Sequence, residues 1–282
     1  MNMTAMRTLK LRSGASVPVL GQGTWGMGED RSARSAEIAA LRLGLELGLT
    51  LLDTAEMYGE GGAEEVVAEA ITGRRGEVFL VGKFYPSHAT RKLVSQACEN
   101  SLRRLKTDYL DLYLLHWRGA TPLLETLDGL QALQQAGKIG DYGVSNFDTD
   151  DMNEAYETAG GAGISTDQVL YNLSRRGIEW DLLPWLRERA TPLMAYSPVE
   201  QGRMANHPGL RTIAARQGAT PAQMALAWLL RNPDIAVIPK AATAAHVREN
   251  RAALDLMLNG DALKELDRAF PPPTRKRALE ML

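Results

Sequence analysis

Short apolar segments alternate with amphipathic segments along almost the whole chain. The apolar segments predict buried β-strands at residues 17–23, 49–53, 78–83, 110–116, 141–146, 167–172, 191–197 and 235–240. Apolar positions at helical spacing predict α-helices at residues 32–47, 62–72, 90–105, 122–136, 148–159, 180–189, 220–231 and 244–254. The predicted helix starts are marked by Ser32, Thr90, Asp148, Pro122 and Pro221. The pattern therefore predicts eight strand–helix units.

Eight consecutive units favour an α/β fold in which the strands close into a (β/α)8 TIM barrel rather than remain an open sheet. Before the first unit, the segment TLKLRSGASVPVL predicts an N-terminal β-hairpin that turns at Ser13-Gly14. No linker or change in composition divides residues 1–282, so we expect a single domain. The tail, defined as residues 271–282 (PPPTRKRALEML), lacks this pattern and is expected to be loosely held.

Composition excludes several classes of protein. A net charge of −2 does not fit a nucleic-acid-binding surface. No apolar run approaches the roughly 20 residues of a membrane helix, and the first residues lack the apolar region of a signal peptide, so a cytoplasmic protein is expected. A single cysteine and four widely separated histidines predict no metal site. The side chains expected to serve packing alone are Cys98, Trp180, Trp185 and Trp228.

Polar side chains stand at the carboxyl ends of the predicted strands, where a TIM barrel gathers its chemistry. They are Asp53, Lys83, His116, Ser145, Asn146, Tyr196, Ser197 and Lys240. One such residue alone is a weak signal, because polar residues often terminate strands. Since a barrel would bring all of them to one mouth, we interpret them as a shared site.

A competing interpretation rests on glycines. Gly21, Gly23 and Gly26 match the dinucleotide-binding pattern G-x-G-x-x-G, and Asp53 ends the next strand as a ribose-binding acid would. However, residues 27–31 separate the third glycine from the first helical segment, whereas in that motif the glycine opens the helix. An open doubly wound sheet would also leave the later strand-end residues without a common site. The barrel is therefore the favoured prediction.

The segment GLTLLDTAEMYG at residues 48–59 closely resembles the first signature of the aldo-keto reductase family. Further segments resemble that family in the same order: VGK at 81–83, LYLLH at 112–116, GVSNF at 143–147, QVLYN at 168–172, AYSP at 195–198, IPK at 238–240 and REN at 248–250. The resemblance implies a barrel that reduces carbonyl groups with a nicotinamide cofactor. NADPH is the expected cofactor, with NADH as a weaker alternative.

The residue types suit that chemistry. Hydride addition to a carbonyl leaves negative charge on its oxygen, which needs a proton and hydrogen-bond donors. Tyr58 is the expected general acid, although a free phenol with a pKa near ~10 is a poor proton source at neutral pH. A neighbouring cation lowers that pKa, and Lys83, held by Asp53, would supply the charge. His116 is expected to donate to the carbonyl oxygen, which completes the tetrad that the resemblance implies.

The resemblance also implies how the cofactor is held. Ser145, Asn146 and Gln168 would bind the nicotinamide carboxamide, and Tyr196 would stack on the ring. The other expected cofactor contacts are Thr24, Trp25, Asp53, the pyrophosphate-loop residues Ser197, Pro198 and Gln201, and, near the adenosine, Lys240, Ala241, Thr243, His246, Glu249 and Asn250. The expected walls of the substrate pocket are Trp25 and Trp117.

The segment expected to bind the 2′-phosphate departs from the family pattern, which usually has serine after Ile-Pro-Lys and an arginine further on. Here Ala241 stands in place of the serine and His246 in place of the arginine, while Lys240 and Thr243 remain. Arginine forms bidentate, charge-assisted bonds to phosphate that an imidazole cannot copy. We therefore expect a preference for NADPH that is weaker than an arginine would give.

The substrate itself is less well determined. Because the tail is short, we expect an open mouth that accepts aldehydes and small ketones. Two other functions stay open: a non-catalytic nicotinamide-binding regulatory subunit, which the intact tetrad argues against, and a cofactor-free phosphate-binding isomerase or lyase barrel. A monomer or weak homo-oligomer is expected, without nucleic-acid or membrane partners.

Overall fold

The computed structural model describes residues 5–282, where the chain forms a two-stranded hairpin and an eight-stranded parallel sheet. The hairpin consists of β1 (Thr8–Lys10) and β2 (Ser16–Pro18). The sheet consists of β3 (Gly21–Gly23), β4 (Leu51–Asp53), β5 (Phe79–Phe84), β6 (Leu110–Leu115), β7 (Ile139–Ser145), β8 (Asp167–Leu170), β9 (Leu193–Tyr196) and β10 (Ile235–Val237). Residues 1–4, the start of the segment that predicted a cytoplasmic protein, lie outside the described residues.

The eight strands follow one another around the sheet in chain order, from β3 to β10. Parallel bridges from Leu20 to Val237 and from Gly23 to Lys240 join the first strand to the last. A Cβ atom on Gly23 would lie 2.9 Å from the Ile238 carbonyl oxygen, so glycine is needed for this close approach. The predicted (β/α)8 barrel with an N-terminal hairpin is confirmed, and the open-sheet alternative is wrong.

Helices surround the barrel. Within residues 5–282 they are α1 (Arg34–Glu46), α2 (Gly62–Ala70), α3 (Arg91–Leu105), α4 (Leu123–Gln135), α5 (Thr149–Glu157), α6 (Leu182–Glu188), α7 (Pro208–Arg216), α8 (Pro221–Leu230), α9 (Ala244–Ala252) and α10 (Gly260–Ala269). The sequence pattern misses α7 and α10. Both helices are amphipathic, with Leu210, Ile213 and Ala214 buried in α7 and Ala262 and Leu266 buried in α10, so periodicity was sufficient to predict them.

Most of the predicted helix starts are confirmed, and two need correction. The confirmed ones are the N-caps Thr90 and Asp148 and the first-turn proline Pro221. Ser32 is not a cap, because its hydroxyl donates to Asp30 at 2.8 Å and α1 begins after Ala33. Pro122 is the N-cap of α4 rather than a residue of its first turn.

The hairpin closes the amino-terminal end of the barrel. The strand predicted at residues 17–23 is in fact divided between β2 and β3, because the chain leaves the hairpin before it enters the barrel. Leu9, Leu11 and Val17 of the hairpin region are buried in one cluster with side chains of the barrel strands. Those barrel side chains are Leu51, Val81, Leu112, Leu114, Met194, Ala236 and Ile238. The carboxyl end of the barrel is therefore the end that a ligand can enter.

The predictions for packing residues are confirmed with one exception. Cys98, Trp185 and Trp228 are buried, and burial raises the pKa of the Cys98 thiol to about 12. Trp180 is 49% exposed and follows a short 3-10 turn, so it does not pack in the core. Within residues 5–282, no helix is long and apolar enough to span a membrane, and no cluster of His, Cys, Asp or Glu could hold a metal ion.

The tail runs back along the barrel with most of its residues exposed and none buried, and a few contacts join it to the barrel. Glu280 forms an ion pair with Arg175, and Leu279 packs against the core. Its end lines the cavity at the barrel mouth through Met281 and Leu282. The end of the tail therefore forms part of the wall of this cavity.

Candidate active site

Loops and strand ends place the four predicted catalytic residues around one side of the barrel mouth. Asp53 is the last residue of β4, Lys83 lies near the end of β5, and His116 directly follows β6. Tyr58 opens the 3-10 turn after β4. Because neighbouring parallel strands end at the same edge, side chains that are distant in sequence meet here.

Lys83 is fully buried and lies at the centre of this group. Its Nζ atom donates to Asp53 Oδ2 at 2.7 Å, to Tyr58 Oη at 3.0 Å and to the Thr54 carbonyl oxygen at 3.0 Å. These contacts use all three N–H groups of the ammonium. Since the Tyr58 oxygen accepts a hydrogen bond from Lys83, the phenolic O–H of Tyr58 is free to donate to another group.

Burial dominates the electrostatics of this pair. It raises the pKa of Tyr58 above its ordinary value, and the positive charge of Lys83 opposes that rise without reversing it. The expectation that Lys83 lowers the phenol pKa thus describes one contribution, not the net direction. Burial by itself lowers the pKa of Lys83, but attraction by Asp53 and Tyr58 outweighs it, and the net pKa is raised. At neutral pH Tyr58 is therefore protonated and Lys83 charged.

His116 is an uncharged neighbour of Tyr58. Burial, assisted by repulsion from Lys83, lowers the pKa of His116 to about 3. Its ring contacts the Tyr58 ring edge-on, with 5.7 Å between centroids, and the Trp117 ring at 5.1 Å. Among the described residues, its buried Nδ1 atom has no hydrogen-bond partner. A neutral imidazole carries one N–H group, so His116 can donate a hydrogen bond without carrying charge.

The opposite wall of the cavity is held by hydrogen bonds between β7, β8 and β9. The Ser145 hydroxyl donates to the Gln168 carbonyl oxygen at 2.7 Å. Asn146, whose backbone has a left-handed φ of 58°, donates its amide nitrogen to the His116 carbonyl oxygen at 3.1 Å. The Tyr196 hydroxyl donates to the Asn146 amide oxygen at 2.9 Å. These contacts fix both the amide of Asn146 and the ring of Tyr196.

One contact joins the two walls and is not evident from the sequence. Gln168 Nε2 donates to Asp53 Oδ1 at 2.7 Å, while the other oxygen of Asp53 binds Lys83. Gln168 is predicted to bind a ligand, but its amide nitrogen is here used within the protein. The Gln168 side chain therefore also orients Asp53.

These residues surround a cavity of about 820 Å3. The predicted site residues that line it are Trp25, Asp53, Tyr58, His116, Trp117, Ser145, Asn146, Gln168, Tyr196, Ser197, Pro198, Gln201, Lys240, His246, Glu249 and Asn250. Those outside its lining are Thr24, Lys83, Ala241 and Thr243. Thr24 is buried and donates to the Asp53 carbonyl oxygen at 2.9 Å, and Thr243 caps α9 by accepting from the His246 N–H.

Sequence reasoning missed several apolar lining residues. They include Met57, Pro221, Ala222, Ile238, Met281 and Leu282. Met57 could have been found, because it adjoins Tyr58 within the quoted motif. The tail residues could not, because nothing in the local sequence shows that the tail returns to the mouth.

Comparison with known proteins shows the family to which this chain is related. The model of the Aldo/keto reductase family matches residues 19–270. The Escherichia coli protein named methylglyoxal reductase YeaE is 50% identical over 98% of this chain and 99% of its own. The Salmonella typhimurium protein named methylglyoxal reductase DkgA is 29% identical over 92% of this chain and 91% of its own. A Klebsiella pneumoniae aldo/keto reductase, crystallised with NADP and acetate, is 51% identical with a TM-score of 0.96, covering 99% of this chain and 100% of its own.

A closed (β/α)8 barrel whose mouth holds a buried lysine between a carboxylate and a tyrosine defines a class of barrel oxidoreductases. The family match covers most of the chain, and the sequence identity to the Escherichia coli and Klebsiella pneumoniae relatives is high. The chain belongs to the aldo/keto reductase family.

Proposed function

We propose that this protein is an NADPH-dependent reductase that converts aldehydes and small ketones to alcohols, with 2-oxoaldehydes such as methylglyoxal as the preferred class. The hydrogen-bonded chain from Asp53 through Lys83 to Tyr58 carries this proposal. It supplies a protonated acid whose conjugate base has a fixed cation beside it. Such an arrangement is suited to an oxygen that gains negative charge during the reaction.

The residues at the cavity fit a nicotinamide dinucleotide. Ser145, Asn146 and Gln168 offer amide and hydroxyl groups for the carboxamide, and the Tyr196 ring offers a face for stacking. Lys240 lines the same cavity, and its positive charge suits a bound phosphate. The cavity volume of about 820 Å3 is large for a small substrate alone and accommodates part of a dinucleotide as well.

The proposed reaction assigns one task to each residue. The bound nicotinamide supplies hydride to the carbonyl carbon. Tyr58 donates its proton to the carbonyl oxygen, and Lys83 stabilises the phenolate that results. His116 donates a hydrogen bond to the same oxygen, and Asp53 keeps Lys83 charged and in place.

Two observations support a small substrate. Two relatives are named methylglyoxal reductases, one of them 50% identical to this chain. The walls beside Tyr58 are apolar and include Met57 and Trp117, and the apolar residues Met281 and Leu282 of the tail line the same cavity. A short, uncharged carbonyl compound fits such a pocket. A cytoplasmic location and a monomeric or weakly associated state stay predictions.

Replacement of Tyr58 by phenylalanine tests the acid. Tyr58→Phe keeps the ring and removes the proton, so kcat for methylglyoxal reduction is expected to fall by at least the ~100-fold typical of the loss of a general acid. The measurement is NADPH oxidation at saturating substrate, with product identified by chromatography. The NADPH dissociation constant is expected to stay within about twofold, because the phenol faces the substrate.

Tyr109→Phe is the matched control, since Tyr109 is 38% exposed and precedes β6 at the other end of the barrel. If Tyr58→Phe keeps more than about a tenth of wild-type turnover, its role as the acid is excluded. Tight NADPH binding by the wild type without turnover of any carbonyl would instead favour the regulatory-subunit alternative. Absence of NADPH binding would favour the cofactor-free barrel.

A further inference from the structure

The cofactor loop, defined as residues Ser197–Gln201, has a backbone that requires support. Ser197, Glu200 and Gln201 have φ values of 47°, 51° and 53°, a left-handed conformation that residues other than glycine rarely adopt. Asn172 Nδ2 holds the loop by donating to the Ser197 carbonyl oxygen at 2.9 Å and to Glu200 Oε2 at 2.7 Å. Glu200 is buried, so its carboxylate needs a positive partner.

Two arginines are its partners. Arg175 donates from Nε and Nη2 to Glu200 Oε1 at 3.1 and 2.9 Å, and the more exposed Arg203 donates from Nη2 to the same oxygen at 3.3 Å. Burial alone would raise the pKa of Glu200, but bonds from Arg175 and Asn172 outweigh it and the pKa is lowered. The cofactor loop is thus tied to the barrel through an ionised carboxylate.

The same guanidinium also binds the tail. Arg175 Nη1 donates to Glu280, on the side of the guanidinium not used for Glu200. Because a guanidinium presents its donors in one rigid plane, both carboxylates are bound at the same time without competing for a donor. Each contact therefore restricts the orientation available for the other.

The tail and the cofactor loop also meet at the cavity itself. Met281 and Leu282, which follow Glu280, line the cavity. Ser197, Pro198, Val199 and Gln201 of the cofactor loop line the same cavity. The two segments thus border one cavity, with Arg175 joining them.

We propose that Arg175 is a positioning residue that couples docking of the tail to closure of the cofactor loop, so that release of the tail speeds dissociation of NADPH. The inference rests on the proposed function, because it takes residues Ser197–Gln201 to hold the cofactor. Coupling between two binding events is reciprocal, so bound NADPH also stabilises the docked tail.

The first test removes only the tail contact. Glu280→Gln keeps the shape of the side chain and removes its charge, so the NADPH dissociation rate is expected to rise about threefold, within the range for partly exposed ion pairs. The rate is measured by stopped-flow fluorescence during displacement of NADPH by excess NADP. Glu265→Gln is the matched control, because it removes an ion pair with Arg216 on the outer surface.

The second test replaces the joining residue. Arg175→Lys keeps the charge but lacks the planar fork, so it is expected to raise the dissociation rate by more than Glu280→Gln does. Adding Glu280→Gln to Arg175→Lys should then have little further effect, since both act through one contact network. Unchanged dissociation rates in both single variants, or fully additive effects in the double variant, would overturn the coupling.

Two further measurements do not depend on turnover. Amide hydrogen exchange at residues 279–282 reports release of the tail, and NADPH should slow it severalfold in the wild type and less in Glu280→Gln. In the cofactor-free protein, amide hydrogen exchange of the cofactor loop should be about threefold faster in Glu280→Gln than in Glu265→Gln. Equal exchange in these two variants would exclude the coupling even if the wild type bound no NADPH, whereas that lack of binding would refute the proposed function.

Discussion

At the residue scale, the hydrogen bonds of Lys83 determine how the proposed catalytic residues Asp53 and Tyr58 are arranged. It is buried with no exposed surface, and each of its donors has an acceptor within 3.0 Å. A buried ammonium is tolerated only when it is paired and hydrogen-bonded in this way. The same contacts that make Lys83 tolerable in the core also place its charge against the Tyr58 oxygen.

We expect Lys83→Met to lose activity and stability together. The variant leaves Asp53 buried without its cation, which costs roughly 3 kcal/mol or more of unfolding free energy. Urea denaturation measures the stability, and NADPH oxidation measures the activity. Lys264→Met, at a side chain that is 72% exposed, is the control and should change neither. A stable and active Lys83→Met variant would show that the two charges are not coupled.

The lowered pKa of His116 predicts acid sensitivity. An unfolded chain takes up a proton on this histidine near its ordinary pKa of ~6.5, whereas the folded chain does so only near about 3. Below pH ~6.5 unfolding therefore binds an extra proton, and stability falls as the pH falls towards the folded pKa. His116→Asn removes this contribution, so its unfolding free energy should decline less between pH ~6.5 and ~4.5 than that of the wild type. The unfolding free energy is measured by urea denaturation at each pH. If it declined equally in the wild type and in His116→Asn, the lowered pKa of His116 would be contradicted.

At the element scale, the hairpin and the barrel strands form one core. Leu9, Leu11 and Val17 close the end of the barrel opposite the site. Hairpins of two strands are marginally stable by themselves, so β1 and β2 depend on this packing. The hairpin should therefore affect stability without affecting the site chemistry.

Leu11→Ala tests this separation. Leu11 is 5% exposed, so truncation should lower the unfolding free energy by about 2 to 4 kcal/mol through lost contacts and a cavity. The NADPH dissociation constant should not change. Leu124→Ala is the matched control, because Leu124 is 49% exposed on α4 and loses little on truncation. A marked change in NADPH affinity in Leu11→Ala would show that the two ends of the barrel are coupled.

The elements also show which features of secondary structure hydrophobic periodicity predicts and which it does not. Helices such as α3, with a Thr90 cap and six buried positions, are evident from periodicity alone. Helix α10 carries the same signal, because Ala262, Leu263 and Leu266 recur at helical spacing and face the core, so periodicity was sufficient to predict it. By contrast, nothing local divides residues 17–23 into β2 and β3, because that division depends on which strand each half pairs with.

At the scale of the whole molecule, the fold brings Lys240 and His246 to the cavity that holds Tyr58 and His116. The first turn of α9 carries His246, and its helix dipole favours a bound phosphate. The proposal that NADPH is preferred over NADH therefore depends on groups far in sequence from the reacting centre.

We expect the ratio of kcat/KM for NADPH to that for NADH to exceed one in the wild type. His246→Arg should raise the ratio about tenfold, because a guanidinium adds a charge-assisted bidentate contact to the 2′-phosphate. Lys240→Met should lower it by a similar factor. The value of kcat/KM with NADH is the internal control and should stay nearly constant in both variants. A wild-type ratio below one, or a ratio that His246→Arg leaves unchanged, would contradict the assignment.

The sequence by itself determined the eight strand–helix units, the barrel and the residue types of the site, because hydrophobic periodicity and motif order are local properties of the chain. Only the tertiary structure decided three further features: Gln168 donates to Asp53, burial outweighs Lys83 in setting the pKa of Tyr58, and the tail returns to the mouth. Each depends on distances between residues far apart in sequence or on the depth at which a charge is buried. Neither quantity is encoded in any single segment of the chain.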